Sequence, residues 1–60
     1  MEKDCNYLFR RAGEEREAAR KSTNRAVRDR HLEFANAYDH RGREIEALQR
    51  EFMVPAIPLA

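Results

Sequence analysis

The chain is poor in the features that usually stabilise a small domain. It has one cysteine, no tryptophan, two glycines and two prolines. A single thiol cannot form an internal disulfide, so Cys5 excludes the disulfide frameworks of many small proteins. Because glycine and proline are scarce and 38% of the residues are charged, the composition favours long helices over strands or disorder.

The sequence also lacks a long apolar run and a large excess of either positive or negative charge. No stretch approaches the roughly 18 apolar residues of a membrane span, and no secretory signal pattern begins the chain, so we expect a cytoplasmic protein without membrane contact. The net charge is +1, which by itself favours neither a nucleic-acid nor an acidic partner. A chain of this length buries only about 60% of its unfolded surface, so we expect association to support its stability.

One row of residues at alternating spacings of four and three runs through the second half of the chain. Such spacing is the a/d pattern of an apolar seam along one helix. It predicts a long helix over about residues 24–53. The seam consists of Val27, His31, Phe34, Tyr38, Arg41, Ile45, Leu48 and Phe52.

A shorter helix is predicted over about residues 5–22, after a frayed segment 1–4 in which Asp4 is the expected N-cap. Capping and turn residues cluster at 22–24, where Thr23 or Asn24 would cap the second helix. The fold class is therefore all-α, with one domain over residues 5–53 that forms an antiparallel helical hairpin. We expect self-association to complete it as a bundle.

Placed antiparallel about this turn, small residues of the first helix face large residues of the second. The expected pairs are Ala19 with Val27, Ala12 with Phe34 and Leu8 with Tyr38. At about 1.5 Å per residue the first helix reaches only to about Arg41, so the rest of the seam has no partner inside the chain. We expect self-association, with a dimer favoured, through Phe34, Tyr38, Ile45, Leu48 and Phe52.

Two features near the end of the chain leave alternatives open. The second helix either continues straight through Gly42 or breaks there. In the second case residues 43–52 form a short third helix. The unbroken phase of the seam favours the straight helix. Residues 54–60 form an uncharged tail with two prolines that is disordered, lies along the exposed half of the seam, or docks on another protein.

The sequence gives little support to catalysis or to ligand binding. His31 lies in the seam and His40 is spaced to meet Glu44 on one helical face, but no established metal-binding spacing is present. Cys5 has no redox partner, and no glycine-rich loop would hold a phosphate. We therefore expect no enzyme activity, cofactor, metal or small-molecule substrate. The leading hypothesis is a noncatalytic protein–protein interaction or regulatory module.

Basic residues surround the turn and give the alternative hypothesis, a small nucleic-acid-associated regulator. The cluster consists of Arg16, Arg20, Lys21, Arg25, Arg28 and Arg30. Within it, the candidate phosphate contacts are Arg20, Lys21, Arg25 and Arg28. A helix-turn-helix reader needs a third helix, however, and the cluster has no interleaved aromatic residues.

Two segments, YLFRRAGEEREAARKST and RAVRDRHLEFANAYDHR, resemble a group of small alphaproteobacterial helical-hairpin proteins of unknown function. In that group an aromatic residue with an RRAEEE-like run precedes a Thr-containing turn and an H-x-E-x-A-x-x-Y helix. His31, Glu33, Ala35 and Tyr38 match the second pattern, with Phe34 between Glu33 and Ala35. The resemblance covers residues 7–41 and implies a bacterial helical hairpin, but it carries over no functional residues.

Overall fold

The computed structural model describes residues 3–53 of the chain, with the side chains of residues 3–50. Two helices pack against each other, α1 (Asp4–Lys21) and α2 (Arg25–Met53). Cys5 near the start of α1 contacts Gln49 near the end of α2, so the helices are antiparallel and the predicted all-α hairpin is confirmed. The tail at 54–60 lies outside the described residues. Within them, neither helix has the length and apolar character needed to cross a membrane.

The turn between the helices is held by Ser22 and Asn24. The Oδ1 atom of Asn24 accepts a hydrogen bond from the amide of Val27 at 3.1 Å, which caps one of the unpaired donors at the start of α2. The Ser22 hydroxyl donates to the carbonyl oxygen of Asn24 at 3.1 Å and accepts from the Asn24 amide at 3.2 Å. Of the two predicted caps, Asn24 is therefore the one that forms.

The start of α1 differs from the prediction by one residue. Asp4 is the first helical residue and not the cap, and Lys3 occupies the cap position without a side-chain hydrogen bond. Asp4 contributes instead from the first turn, because a carboxylate there interacts favourably with the helix dipole.

Small residues form the contact between the helices. The buried apolar residues are Cys5, Ala12 and Ala19 on α1 and Ala35 on α2. Among the described residues, no large side chain is fully buried. The fully buried core of the hairpin is therefore thin and made of small side chains.

Phe9 of α1 packs directly on Gly42 of α2. A Cβ atom built on Gly42 would lie 2.7 Å from Cε1 of Phe9, so the ring occupies the space that any other residue would need. Gly42 has no positive φ, and α2 runs through it without a break. This confirms the straight helix and removes the alternative of a third helix over residues 43–52.

The predicted pairing of Ala19 with Val27 and of Ala12 with Phe34 is wrong. Val27 and Phe34, which were expected to face Ala19 and Ala12, are each 46% exposed. The packing is small against small, with Phe9 seated over Gly42. At the start of α2, residues 25–30 are all exposed, so α2 packs on α1 only after them. The first helix also reaches beyond Arg41, because Cys5 contacts Gln49. Ile45 is consequently half-buried and does not lack an intramolecular neighbour.

Candidate interaction surface

Three parallel rows of residues on α2 define the candidate surface. The inner row, Ala35, Gly42 and Gln49, lies toward α1, and the shared row, His31, Tyr38 and Ile45, is half-buried at its edge. The outer row is Val27, Phe34, Arg41 and Leu48, one residue every seven. The sequence pattern predicted a seam made of the shared and outer rows. In the structure α1 packs instead on the shared and inner rows, and the outer row is left uncovered.

The outer row is apolar at three of its four positions. Val27 and Phe34 are each 46% exposed and Leu48 is 51% exposed. Leu48 also lines a surface cavity of about 360 Å³ with Arg41, Glu44 and Ala47. The row spans about 32 Å of helix at 1.5 Å per residue. Phe52, the last predicted interface residue, belongs to α2, but its side chain lies outside the described ones.

A polar network joins α1 to the shared row beside this surface. Oε1 of Glu15 lies 2.7 Å from Nδ1 of His31. Because an ionised carboxylate only accepts hydrogen bonds, the His31 nitrogen is the donor. Arg11 donates to Glu15 at 3.1 Å and to the Tyr38 hydroxyl at 3.5 Å, and its guanidinium lies 5.2 Å from the centre of the Tyr38 ring. This network was not foreseen, because it depends on the register of the two helices.

The contact with His31 changes the acidity of Glu15. The hydrogen bond from His31 is the main cause that holds the pKa of Glu15 below its ordinary value of 4.5, and the charge of Arg11 acts in the same direction. Burial opposes this by raising the pKa, but it does not outweigh the hydrogen bond. The ionised form of Glu15 is therefore favoured by folding.

We expect the melting temperature of the hairpin to fall as the pH is lowered through the pKa of Glu15. A folded-state pKa below 4.5 means that the stabilisation is fully present above about pH 4.5 and is lost as the pH falls below it. Circular dichroism melts at several pH values should show a weaker dependence for Glu15→Gln than for the wild type. Glu33→Gln is the control, because the Glu33 side chain is 73% exposed. Parallel curves for Glu15→Gln and the wild type would contradict the assignment.

The basic cluster at the turn is largely paired with carboxylates. Five of its six cations lie within 4.0 Å of an acidic side chain. Arg16 contacts Asp39 of α2, both Arg20 and Lys21 contact Glu17, and Arg25 lies 4.0 Å from Asp29. Arg30 lies 3.8 Å from Glu33, and Arg28 forms no ion pair with any described residue. The predicted phosphate contacts Arg20, Lys21, Arg25 and Arg28 are therefore exposed, and two carboxylates, Glu17 and Asp29, offset part of their charge.

The remaining candidate metal-ligating and redox residues do not cluster in the described part of the chain. His40 lies 3.3 Å from Glu44, which confirms their predicted proximity, but in residues 3–50 no group of three or more His, Cys, Asp or Glu side chains is placed to hold a metal ion. Cys5 is buried, and its thiol lies 3.7 Å from Oε1 of Gln49. The surface with the clearest physical character is therefore the outer row of α2.

Comparison of the chain with protein-family models, with curated proteins and with solved structures gives no match. The resemblance to small alphaproteobacterial hairpin proteins stays a prediction.

Proposed function

We propose that the protein is a noncatalytic interaction module that self-associates through the outer row of α2. The observation that carries this proposal is a row of large apolar side chains on α2 that stays exposed while α1 packs on the neighbouring inner and shared rows. The apolar side chains of that row are Val27, Phe34 and Leu48, and each is about half exposed. A row of exposed apolar side chains at heptad spacing along one helix is typical of helix–helix interfaces.

The thin core supports the same proposal. Among residues 3–50 the buried apolar side chains are Cys5, Ala12, Ala19 and Ala35, and such small side chains contribute little hydrophobic free energy to offset the entropy of ordering the chain. Burial of the outer row against a second helix adds large side chains to the core. The outer row lies at roughly a right angle around α2 from the inner row, which faces α1. This placement suits a four-helix arrangement made from two hairpins.

Nucleic-acid binding is the second candidate, and the structure gives it weaker support. The first two turns of α2 extend past the contact with α1 and expose Arg25, Arg28 and Arg30. Asp29 and Glu33 lie near Arg25 and Arg30 and offset two of these three charges, which weakens the attraction to a phosphate backbone. Salt-dependent binding to generic duplex DNA or RNA at about 50 mM salt would revive this candidate.

Sedimentation equilibrium of matched variants tests the self-association. We expect the wild type to form dimers at micromolar concentration, and Phe34→Asp to weaken the dimer by about 100-fold or more, because two copies of the aromatic ring lose their burial. Leu32→Asp is the control. Leu32 is 40% exposed, but it lies about 200° around α2 from Phe34 and should leave the dimer intact.

Two results would contradict the proposal. A wild-type chain that is folded and monomeric at micromolar concentration would remove self-association. Equal effects of Phe34→Asp and Leu32→Asp would show that the outer row is not the interface. A variant that ends at Met53 distinguishes a third case: if residues 54–60 cover the row themselves, the full chain stays monomeric and the shortened chain associates.

A further inference from the structure

We infer that two copies of the chain pair antiparallel along α2, with Arg30 of each copy beside Glu44 of the other. The inference rests on the proposed function and adds the orientation of the partner and the charges that select it. The partner is a second copy of this chain, because the charges beside the outer row are complementary to those of a reversed copy.

A flanking row runs next to the outer row on the side away from α1. Its members are Arg30, Ala37 and Glu44, again one residue every seven, and all three are exposed. The row is therefore basic at one end, small in the middle and acidic at the other end. Such a row is complementary to itself only when the second copy is reversed.

The two possible orientations differ in the charges that they bring together. In a parallel pair, Arg30 would face Arg30 of the second copy and Glu44 would face Glu44, so two like-charge contacts would oppose association. In an antiparallel pair whose two-fold axis passes near Ala37, Arg30 faces Glu44 of the second copy at both ends. Opposite charges at such flanking positions set the orientation of paired helices.

The same axis also matches the outer row. It places Val27 opposite Leu48 of the second copy, and Phe34 opposite Arg41 of the second copy. The first pair buries aliphatic surface, and the second brings a guanidinium to an aromatic ring, which is a favourable cation–π contact. The small side chain of Ala37 at the axis allows the helices to approach closely. Both rows of one copy therefore fit the reversed copy without a change in the hairpin.

Within one chain, Arg30 and Glu44 have other partners and cannot reach each other. Arg30 lies 3.8 Å from Glu33, and Glu44 lies 3.3 Å from both His40 and Arg41. About 21 Å of helix separates Arg30 from Glu44 at 1.5 Å per residue. Any energetic coupling between these two positions must therefore act between copies.

A charge-reversal cycle followed by sedimentation equilibrium tests the orientation. We expect Arg30→Glu and Glu44→Arg each to weaken the dimer by about tenfold at low salt, because each creates two like-charge contacts across the axis. The double variant Arg30→Glu/Glu44→Arg should bind within about twofold of the wild type. A double variant that is weaker than both single variants would overturn the antiparallel pairing, as would single variants that have no effect.

Cross-linking gives an independent readout in a Cys5→Ala background. Ala37→Cys lies near the axis and should form a disulfide-linked dimer on mild oxidation, whereas Arg30→Cys should link to Glu44→Cys in a mixture but not to itself. Efficient self-linking of Arg30→Cys would show a parallel dimer and overturn the inference while leaving the proposed function intact. A monomeric wild type would instead remove the proposed function itself.

Discussion

Replacement of Gly42 by leucine should lower the free energy of unfolding by about 2 kcal/mol, whereas Gly13→Ala should raise it by up to about 1 kcal/mol. Both glycines lie inside helices, where glycine is normally a cost. The difference comes from their surroundings. A Cβ atom on Gly13 would meet nothing within 4 Å, but one on Gly42 would lie 2.7 Å from the ring of Phe9.

The expected loss at Gly42 combines two opposing effects. Leucine removes the conformational cost of glycine, worth about 1 kcal/mol, but its side chain must displace Phe9 or separate the helices, which costs more. Thermal melts followed by circular dichroism at one protein concentration would measure both variants. In a Phe9→Ala background the space above position 42 is open, so the penalty of Gly42→Leu should shrink. Stabilisation at both glycines, of similar size, would contradict the packing of Phe9 on Gly42.

Enlargement of Ala35 should have a comparable or greater effect. Ala35 is fully buried on the inner row, and Ala35→Leu introduces three further carbon atoms into the contact between α1 and α2. We expect a loss of about 2–3 kcal/mol, equivalent to a melting temperature lower by 10 °C or more for a domain of this size. Because a single helix of this length is marginal in water, separation of the two helices should also reduce the helix content.

Ala26→Leu is the matched control for Ala35→Leu. Both positions are on α2 and both changes are from alanine to leucine, but Ala26 is exposed. The control should shift the free energy of unfolding by no more than about 0.5 kcal/mol, which is the usual range for surface substitutions. An Ala35→Leu variant as stable as Ala26→Leu would show that the inner row does not face α1. The comparison must hold the protein concentration constant, because the proposed self-association would add to the apparent stability.

Local signals in the sequence predict the helices and the turn well. The cap at Asn24 and the ion pairs one turn apart, such as Arg10 with Glu14, depend on residues only a few positions apart, so their geometry follows from the helix itself. The antiparallel pairing also follows, because a short turn between two amphipathic helices leaves little alternative.

The face of α2 that meets α1 was not predicted, because spacing alone cannot identify it. His31, Tyr38 and Ile45 form an alternating pattern of three and four with either of two rows, the large residues of the outer row or the small residues of the inner row. The sequence pattern favours the larger residues of the outer row as the core. The chain uses the smaller ones because its helices approach closely, as the seat of Phe9 over Gly42 shows. The matching seven-residue repeat of Cys5, Ala12 and Ala19 on α1 was the signal that could have identified the inner row.

Under the proposed self-association, the thin core of small residues links the folding of each chain to its abundance. Because burial inside one hairpin contributes little, the fraction of folded chains depends on how many of them are bound to a second copy. This fraction rises with total protein concentration. A melting temperature that increases with each tenfold rise in protein concentration is the physical expression of this linkage. In a cell, such a chain would acquire structure as it accumulates, and dilution alone would return it to the unfolded pool.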